Sequence, residues 1–418
     1  MLSAEENDLL TLIDNDSPMA LLMRQHWTPV CLSEEVEEPD GKPLRVEAIG
    51  RKYVCFRDSD GRLGLLDELC PHRKASLVFG RNEECGLRCL YHGWKFDVNG
   101  KCVGMPSEPK GSDLITKVRH NAYQTREWGA FVWAWLGNED DIPEFQPPAF
   151  APTADTKVSV TKIRIPANWA QIMEGQIDSS HSSSLHSSDM VPAKVEGAAA
   201  DDKAWYRPST DRSPRMQVER TDYGFHYAAI RHPIKQPALN EYFRVTEYIA
   251  PFTCLIPPNS SYNVTTVVVP IDDKNSMLNF IASGGETCPD TAEWRRFNHS
   301  VPGEDLDENW VSKRQPENRF LQDRALMKQG NFTGVPGIPN QDIIMWVSMG
   351  AIVDRTTDTL GASDMAVVEF RKLMVDAAKT MEAGGKALGS KSVLKHTQIK
   401  SYEGVHSKET DWKTLCRN

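Results

Sequence analysis

Residues 70–94, CPHRKASLVFGRNEECGLRCLYHGW, carry two Cys and two His in crossed order: Cys70 and His72, then, after sixteen intervening residues, Cys89 and His92. Each short segment supplies one thiol and one imidazole. The chain must therefore fold so that two loops, each with a mixed pair, arrive at one point. The segments around them, KYVCFRD, LGLLDEL and GAFVWAWLG, are short, apolar and punctuated by Gly and Asp. That pattern predicts strands of a small all-β unit in which hairpin loops present the four residues.

Two Cys and two His satisfy a zinc ion, the plainest use of such a set. Zinc sites, however, take paired Cys from one knuckle and paired His from another. One Cys and one His per loop suits a [2Fe-2S] cluster whose irons differ, with two thiolates on one and two neutral imidazoles on the other. With Cys70 and Cys89 on one iron and His72 and His92 on the other, the His side is left near the surface for electron exchange.

The chain has 418 residues, too many for one small core, so two domains are expected. The acid- and Pro-rich stretch EDDIPEFQPPAFAPTADTK, residues 139–157, is the natural boundary, giving units 1–155 and 156–418. Beyond it, NEYFRVTEYIAPF and SYNVTTVVVPI have strand composition. MAVVEFRKLMVDAAKTM repeats apolar residues at Val367, Phe370, Met374, Ala377 and Met381, a helical seam. The expected class is α+β: an all-β first domain and a second with an antiparallel sheet flanked by helices.

Composition narrows the function classes. A net charge of -10 argues against nucleic acid, which needs a basic face. No apolar run approaches the roughly 20 residues of a membrane helix. The start, MLSAEENDLL, reads as a helix capped by Ser3 and Glu6 rather than as a secretory signal. Nine Cys, an odd number spread unevenly, do not form a disulfide framework, so the cytoplasm is the expected compartment.

A second metal-competent stretch is NWAQIMEGQIDSSHSSSLHSSD, residues 168–189. Glu174, Asp178 and His181 share one face if the helix runs through them. His186 lies about 140° further round an ideal helix, so His181 and His186 meet one metal only if the helix loosens. Ser182, Ser183 and Ser184 permit that. Two His and one carboxylate form the facial set of non-haem iron sites. The carboxylate must come from elsewhere, with Asp342 in GIPNQDIIMWVSMG the first choice and Asp354 and Asp358 the alternatives.

The sequences CPHR and CLYHGWKFD, followed by Asp-x2-His-x4-His at 178–186, resemble the Rieske non-haem iron ring-hydroxylating oxygenases, most nearly those of the phthalate dioxygenase type. The resemblance covers nearly the whole chain. It implies a helix-grip catalytic domain, a Rieske [2Fe-2S] cluster and a mononuclear Fe(II) held by His181, His186 and a downstream acid in the position of Asp342. It further implies that Asp178 connects the iron site to a cluster His of a neighbouring subunit, within a homotrimer or stacked trimers. No Gly-rich dinucleotide fingerprint and no plant-type Cys set is present, so a separate NADH-dependent reductase with flavin and a plant-type [2Fe-2S] centre is implied, along with O2 and an aromatic carboxylate.

An acid substrate on an acidic protein needs fixed cations, and Arg binds carboxylates with two parallel bonds. Arg207, in AWYRPST, and Arg244, in NEYFRVTEY, are the candidates, and both match positions that hold substrate carboxylates in the resembling oxygenases. Alternation places Arg244 with Tyr242, Thr246 and Tyr248 on one strand face. Arg212, Arg215, Arg220 and Arg231 crowd the choice. Ser179 and Ser182 either donate to a substrate carboxylate or satisfy backbone groups of the loosened helix. The resemblance implies cis-dihydroxylation of phthalate. A monooxygenase acting on ethers of aromatic acids, of the vanillate or phenoxybenzoate type, is the in-class alternative, and a zinc-bound or electron-carrying module without catalysis is the alternative outside it.

Overall fold

A computed structural model describes residues 1–192, 205–258, 261–390 and 395–416. The chain divides into two compact units, Met23–Phe145 and a second made of Met1–Leu22 with Gln146–Asn418. This differs from the expected 1–155 and 156–418 at both ends of the first unit. The amino-terminal helix Ala4–Thr11, with the Ser3/Glu6 capping box formed, belongs to the larger unit. Its carbonyls and backbone amides are met there: Asn168 donates to Thr11 O at 2.9 Å, and Asp273 accepts from Ile13 and Asp14. Sequence patterning does not show such long-range partners.

The smaller unit is built from antiparallel sheets of three, four and four short strands. The predicted strands are observed as Arg51–Arg57, Leu63–Asp67 and Phe131–Trp135. One core joins Val54, Phe56, Leu66, Leu77, Leu87 and Phe96 to Cys70, Cys89 and Trp94. The loop after Leu63–Asp67 carries Cys70 and His72, and the turn between Gly86–Arg88 and Lys95–Phe96 carries Cys89 and His92.

The larger unit is organised by an antiparallel sheet with the order Lys157–Ile165, Asn275–Gly284, Asn263–Asp272, Thr253–Ile256, Asn240–Ile249, Gly224–Arg231 and Arg215–Arg220. The late strand Tyr402–Ser407 also pairs with Asn240–Ile249, where Arg244 stands opposite Glu403. The helix Met365–Glu382 buries all five residues of the predicted seam.

The helices Trp169–Ile177 and Ile338–Ser348 approach closely at Gly175, where an added Cβ would lie 2.2 Å from Trp346 Nε1. Gln171 ties the pair together by donating to Trp346 O and Gly350 O, both at 2.8 Å. This contact sets the His-bearing loop against the helix that carries Asp342. Among the described residues no helix is long and apolar enough to cross a membrane.

Candidate metal centres and substrate cavity

In the smaller unit Cys70 and Cys89 are buried and the two imidazoles lie beside them, half-buried. The His72 and His92 rings are 4.5 Å apart edge to face, and His72 stacks on Trp94 at 4.3 Å. Short turns hold each Cys: Lys74 N–H donates to Cys70 O and Gly93 N–H to Cys89 O. Gly93 adopts φ +74°, and a Cβ there would meet Pro106 at 2.6 Å, so the turn after His92 requires Gly. Burial pushes the Cys70 thiol up to about 11, the adjacent Cys89 thiol adds to this, and the His72 and Arg73 amides oppose it. Two thiols forced together with amides aimed at one of them form a thiolate-binding arrangement. His92 Nδ1 is buried without a hydrogen-bond partner, as a ligand nitrogen would be.

In the larger unit the helix ends at Ile177 and does not run through Asp178 to His181. Asp178 caps it with extended backbone, and its carboxylate accepts from Ser180 N at 2.7 Å and His181 N at 3.3 Å. The shared helical face expected for Glu174, Asp178 and His181 is therefore absent. A short-chain acid at this position offers the backbone a turn that competes with the helix. Glu174 instead holds Arg355 and Arg371 at 2.7 and 2.8 Å.

After this break His181 and His186 turn toward each other, with their Nε2 atoms 3.2 Å apart. Asp342 Oδ1 lies 3.2 Å from His186 Nε2 and 3.6 Å from His181 Nε2. Asp354 and Asp358 are elsewhere: Asp354 caps Thr356 and Asp358 holds Arg371. Gln341, which sequence reasoning missed, fixes the protonation of His186. Its amide nitrogen donates to Asp189 Oδ2 and Val335 O, so its oxygen must accept, at 2.8 Å, from His186 Nδ1. Nδ1 thus carries a proton, and the neutral ring presents its Nε2 lone pair to Asp342. A lone pair and a carboxylate oxygen converging in a buried place repel unless a cation joins them, and the donor set suits a divalent iron.

Asp178 Oδ2 stands 3.4 Å from His181 Nδ1. Burial alone would raise this carboxyl, but the His181 ring and the Ser180 and His181 amides hold it below the usual range.

A cavity opens beside His181, His186 and Asp342, lined by Ser179, Ser182, Arg207, Arg244 and Thr246 with the apolar Ile256, Val264 and Phe280 among others. Arg207, at the end of Trp205–Arg207, donates to Ser182 Oγ at 2.7 Å. Burial, then Arg244, holds its pKa down to about 9. Arg244 donates to Glu403 at 2.8 Å and to Pro257 O at 3.2 Å. Ser182 donates to Ser179 O, and Ser179 receives bonds from Arg231. Both Ser residues therefore border the cavity while already engaged within the protein.

Residues 26–123 match the Rieske [2Fe-2S] domain model, and residues 134–417 match the model described as LigXa C-terminal domain like. The chain belongs to the Rieske non-haem iron oxygenases. Within that class it is 56% identical over 414 residues to the phthalate 4,5-dioxygenase oxygenase subunit of Pseudomonas putida, spanning 99% of this chain and 94% of the relative. It is 32% identical to the 3-chlorobenzoate-3,4-dioxygenase oxygenase subunit of Comamonas testosteroni, spanning 99% and 98% of the two chains. The fold is shared with the solved Pseudomonas putida CBB5 NdmA QL mutant with caffeine, at a TM-score of 0.61 and 16% identity, covering 94% of this chain and all of the other. The protein is an iron enzyme with a Rieske [2Fe-2S] cluster in its first domain and a mononuclear iron in its catalytic domain.

Proposed function

We propose that this chain is the terminal oxygenase that cis-dihydroxylates an aromatic dicarboxylate, with phthalate the leading substrate and cis-4,5-dihydro-4,5-dihydroxyphthalate the product. The observation that carries this reading is the pair of buried guanidiniums, Arg207 and Arg244, lining one cavity that His181, His186 and Asp342 also line. The phthalate enzyme of Pseudomonas putida, related over nearly the full chain, supports it.

In this reading Cys70, Cys89, His72 and His92 hold the cluster, and His181, His186 and Asp342 hold the mononuclear iron. When bound, the cluster supplies electrons singly and the mononuclear iron supplies the redox chemistry that reduces dioxygen. The chain's own residues do the rest. Arg207 and Arg244 each take a carboxylate and so fix which ring edge faces the three ligands. Ser182 keeps Arg207 in place, and Ile256, Val264 and Phe280 give the ring an apolar wall that excludes water. Gln341 keeps the His186 proton on Nδ1, while Asp178 holds the turn of His181 by accepting from the Ser180 and His181 amides.

The related proteins are named oxygenase subunits, so the electrons come from a separate component, which we take to be an NADH-dependent reductase with flavin and a plant-type [2Fe-2S] centre. Leu90 and Tyr91, more than half exposed next to His92, offer the contact surface for electron exchange. A homotrimer or stacked trimers, with Asp178 connecting to a neighbour's cluster His, and a cytoplasmic setting, in keeping with nine Cys that form no disulfide, complete the reading.

The test is O2 uptake with NADH and a competent reductase on phthalate, vanillate and phenoxybenzoate, with product identification. Phthalate-dependent uptake with formation of the dihydrodiol is expected. Demethylation of vanillate or ether cleavage, with phthalate inert, would transfer the enzyme to the monooxygenase reading.

A further inference from the structure

Arg231 and Glu403 do not line the cavity, yet they stand directly behind the residues that do. On the antiparallel sheet Arg244 is opposite Ala229 on one side and Glu403 on the other. Arg231 is opposite Tyr242, one row along on the same face, and therefore diagonal to Arg244. Diagonal neighbours on a sheet face lie about 7–8 Å apart, within reach of long side chains. Arg231 is 2% exposed and gives its guanidinium to Ser179, the loop residue that does line the cavity. Glu403 accepts from Tyr242 at 2.5 Å and from Arg244 at 2.8 Å. Among the described residues this places three buried guanidiniums and one largely covered carboxylate, 12% exposed, in one neighbourhood, apart from the iron ligands.

Arg207, Arg231 and Arg244 carry three positive charges and Glu403, paired with Arg244, one negative charge, a net +2. Burial holds the Glu403 carboxyl above its usual range, and Arg244, Tyr242, Arg207 and Arg231 act against it by favouring the charged form, while burial and then Arg244 lower both Arg207 and Arg231. At the other end of the cavity, the carboxylates of Asp342 and Asp178 would balance a divalent iron. A low-dielectric cavity whose surrounding charges sum to a net +2 penalises a ligand of any other charge.

We infer that Arg231 and Glu403 are specificity-determining residues which, together with Arg207 and Arg244, set the net charge around the cavity to accept substrates carrying two negative charges. This rests on the dicarboxylate reading above and adds to it the residues that count the charge. Neither residue touches the substrate; both act through the field and through Ser179 and Arg244. Arg231→Met leaves the cavity one charge short and favours monoanions. Glu403→Gln leaves it one charge in excess and favours trianions. The double variant restores the sum, and with it the dianion preference.

The experiment is calorimetric binding to the oxygenase with both iron centres loaded, without reductase, at neutral pH, with benzoate, phthalate and benzene-1,2,4-tricarboxylate. Wild type is expected to prefer phthalate. In Arg231→Met the phthalate-to-benzoate preference falls by at least about tenfold, because a unit charge within about 10 Å at the effective dielectric of a protein exceeds one decade in affinity. In Glu403→Gln the tricarboxylate gains by a similar factor relative to phthalate. The double variant returns both ratios to within about threefold of wild type, a recovery that damage to packing does not produce. Wild type with no preference for phthalate overturns the dicarboxylate reading itself. Wild type that prefers phthalate, with variants that weaken all three ligands equally or a double variant no better than the singles, overturns the charge-counting inference alone.

Discussion

Replacing Gln341 by Leu keeps the volume of a buried side chain and removes its amide. Three bonds vanish: the acceptor for His186 Nδ1 at 2.8 Å, and the donors to Asp189 Oδ2 at 2.8 Å and Val335 O at 2.9 Å. His186 is 3% exposed, so its Nδ1–H has no water to turn to. A buried donor left unsatisfied costs about 1–3 kcal/mol. The ring relieves that cost by moving its proton to Nε2, which removes the lone pair facing Asp342. Loss of the hydrogen-bond partner of a ligand His weakens metal binding about 10–100-fold, or about 1.4–2.7 kcal/mol, in agreement with the first figure. The assay is chelator competition for the iron outside the cluster, with the rhombic paramagnetic signal of the dithionite-reduced cluster as the internal control for folding. Gln341→Leu should release that iron at about tenfold or more lower chelator concentration, with the cluster signal unchanged. Wild-type iron affinity in Gln341→Leu would refute the assignment of the Nδ1 proton and the role built on it.

Further perturbations reach the cavity and the scaffold. Arg207→Met and Arg244→Met should each raise KM for phthalate about 10–100-fold, since a charged hydrogen bond contributes about 1.5–3 kcal/mol. Unchanged KM in both would separate the cavity from substrate binding. Gly175→Ala places a Cβ 2.2 Å from Trp346 Nε1 and should cost about 1–3 kcal/mol in denaturant unfolding while loosening the iron site; wild-type stability would contradict the close helix contact. His226 sits between Glu247 at 3.2 Å and Glu219 at 3.0 Å, with Tyr223 and Lys413 on the same carboxylates and Trp412 and Cys416 packed nearby. Burial alone would lower its pKa, but Glu247 and then Glu219 raise it above the usual value. The stability it contributes is therefore complete below about pH 6.5 and fades as pH rises through the folded value. His226→Gln should flatten stability against pH across that window; an unaltered slope would show that the ring does not titrate there.

The sequence carries some parts of this molecule more openly than others, and the difference is physical. The Cys70/His72 and Cys89/His92 pairs are legible because a cluster fixes both residue type and spacing. The capping box at Ser3 and the seam from Val367 to Met381 are legible because helix ends and faces are local. His181, His186 and Asp342 were nameable, but the break at Asp178 that turns the two His residues together was not, since it depends on a side chain outcompeting the helix for two amides. Gln341 carries no ligand signature, and only its place beside Asp342 hints at a role. Arg231 was one of several nearby Arg residues, and Glu403 lies in a late strand whose pairing with Arg244 spans most of the catalytic domain. Strand register over such separations is a tertiary property. The same holds for residues 1–22, whose partners at Asn168 and Asp273 lie far along the chain.

The most direct test of the central claim, two separate iron centres in one polypeptide, is the ratio of iron to acid-labile sulfide in wild type and in Asp342→Ala. A [2Fe-2S] cluster and one mononuclear iron give three irons to two sulfides per chain. Asp342→Ala should fall to two irons and two sulfides with the reduced cluster's rhombic signal intact. Zinc in place of cluster iron, no labile sulfide, or a variant that keeps the third iron would contradict the account.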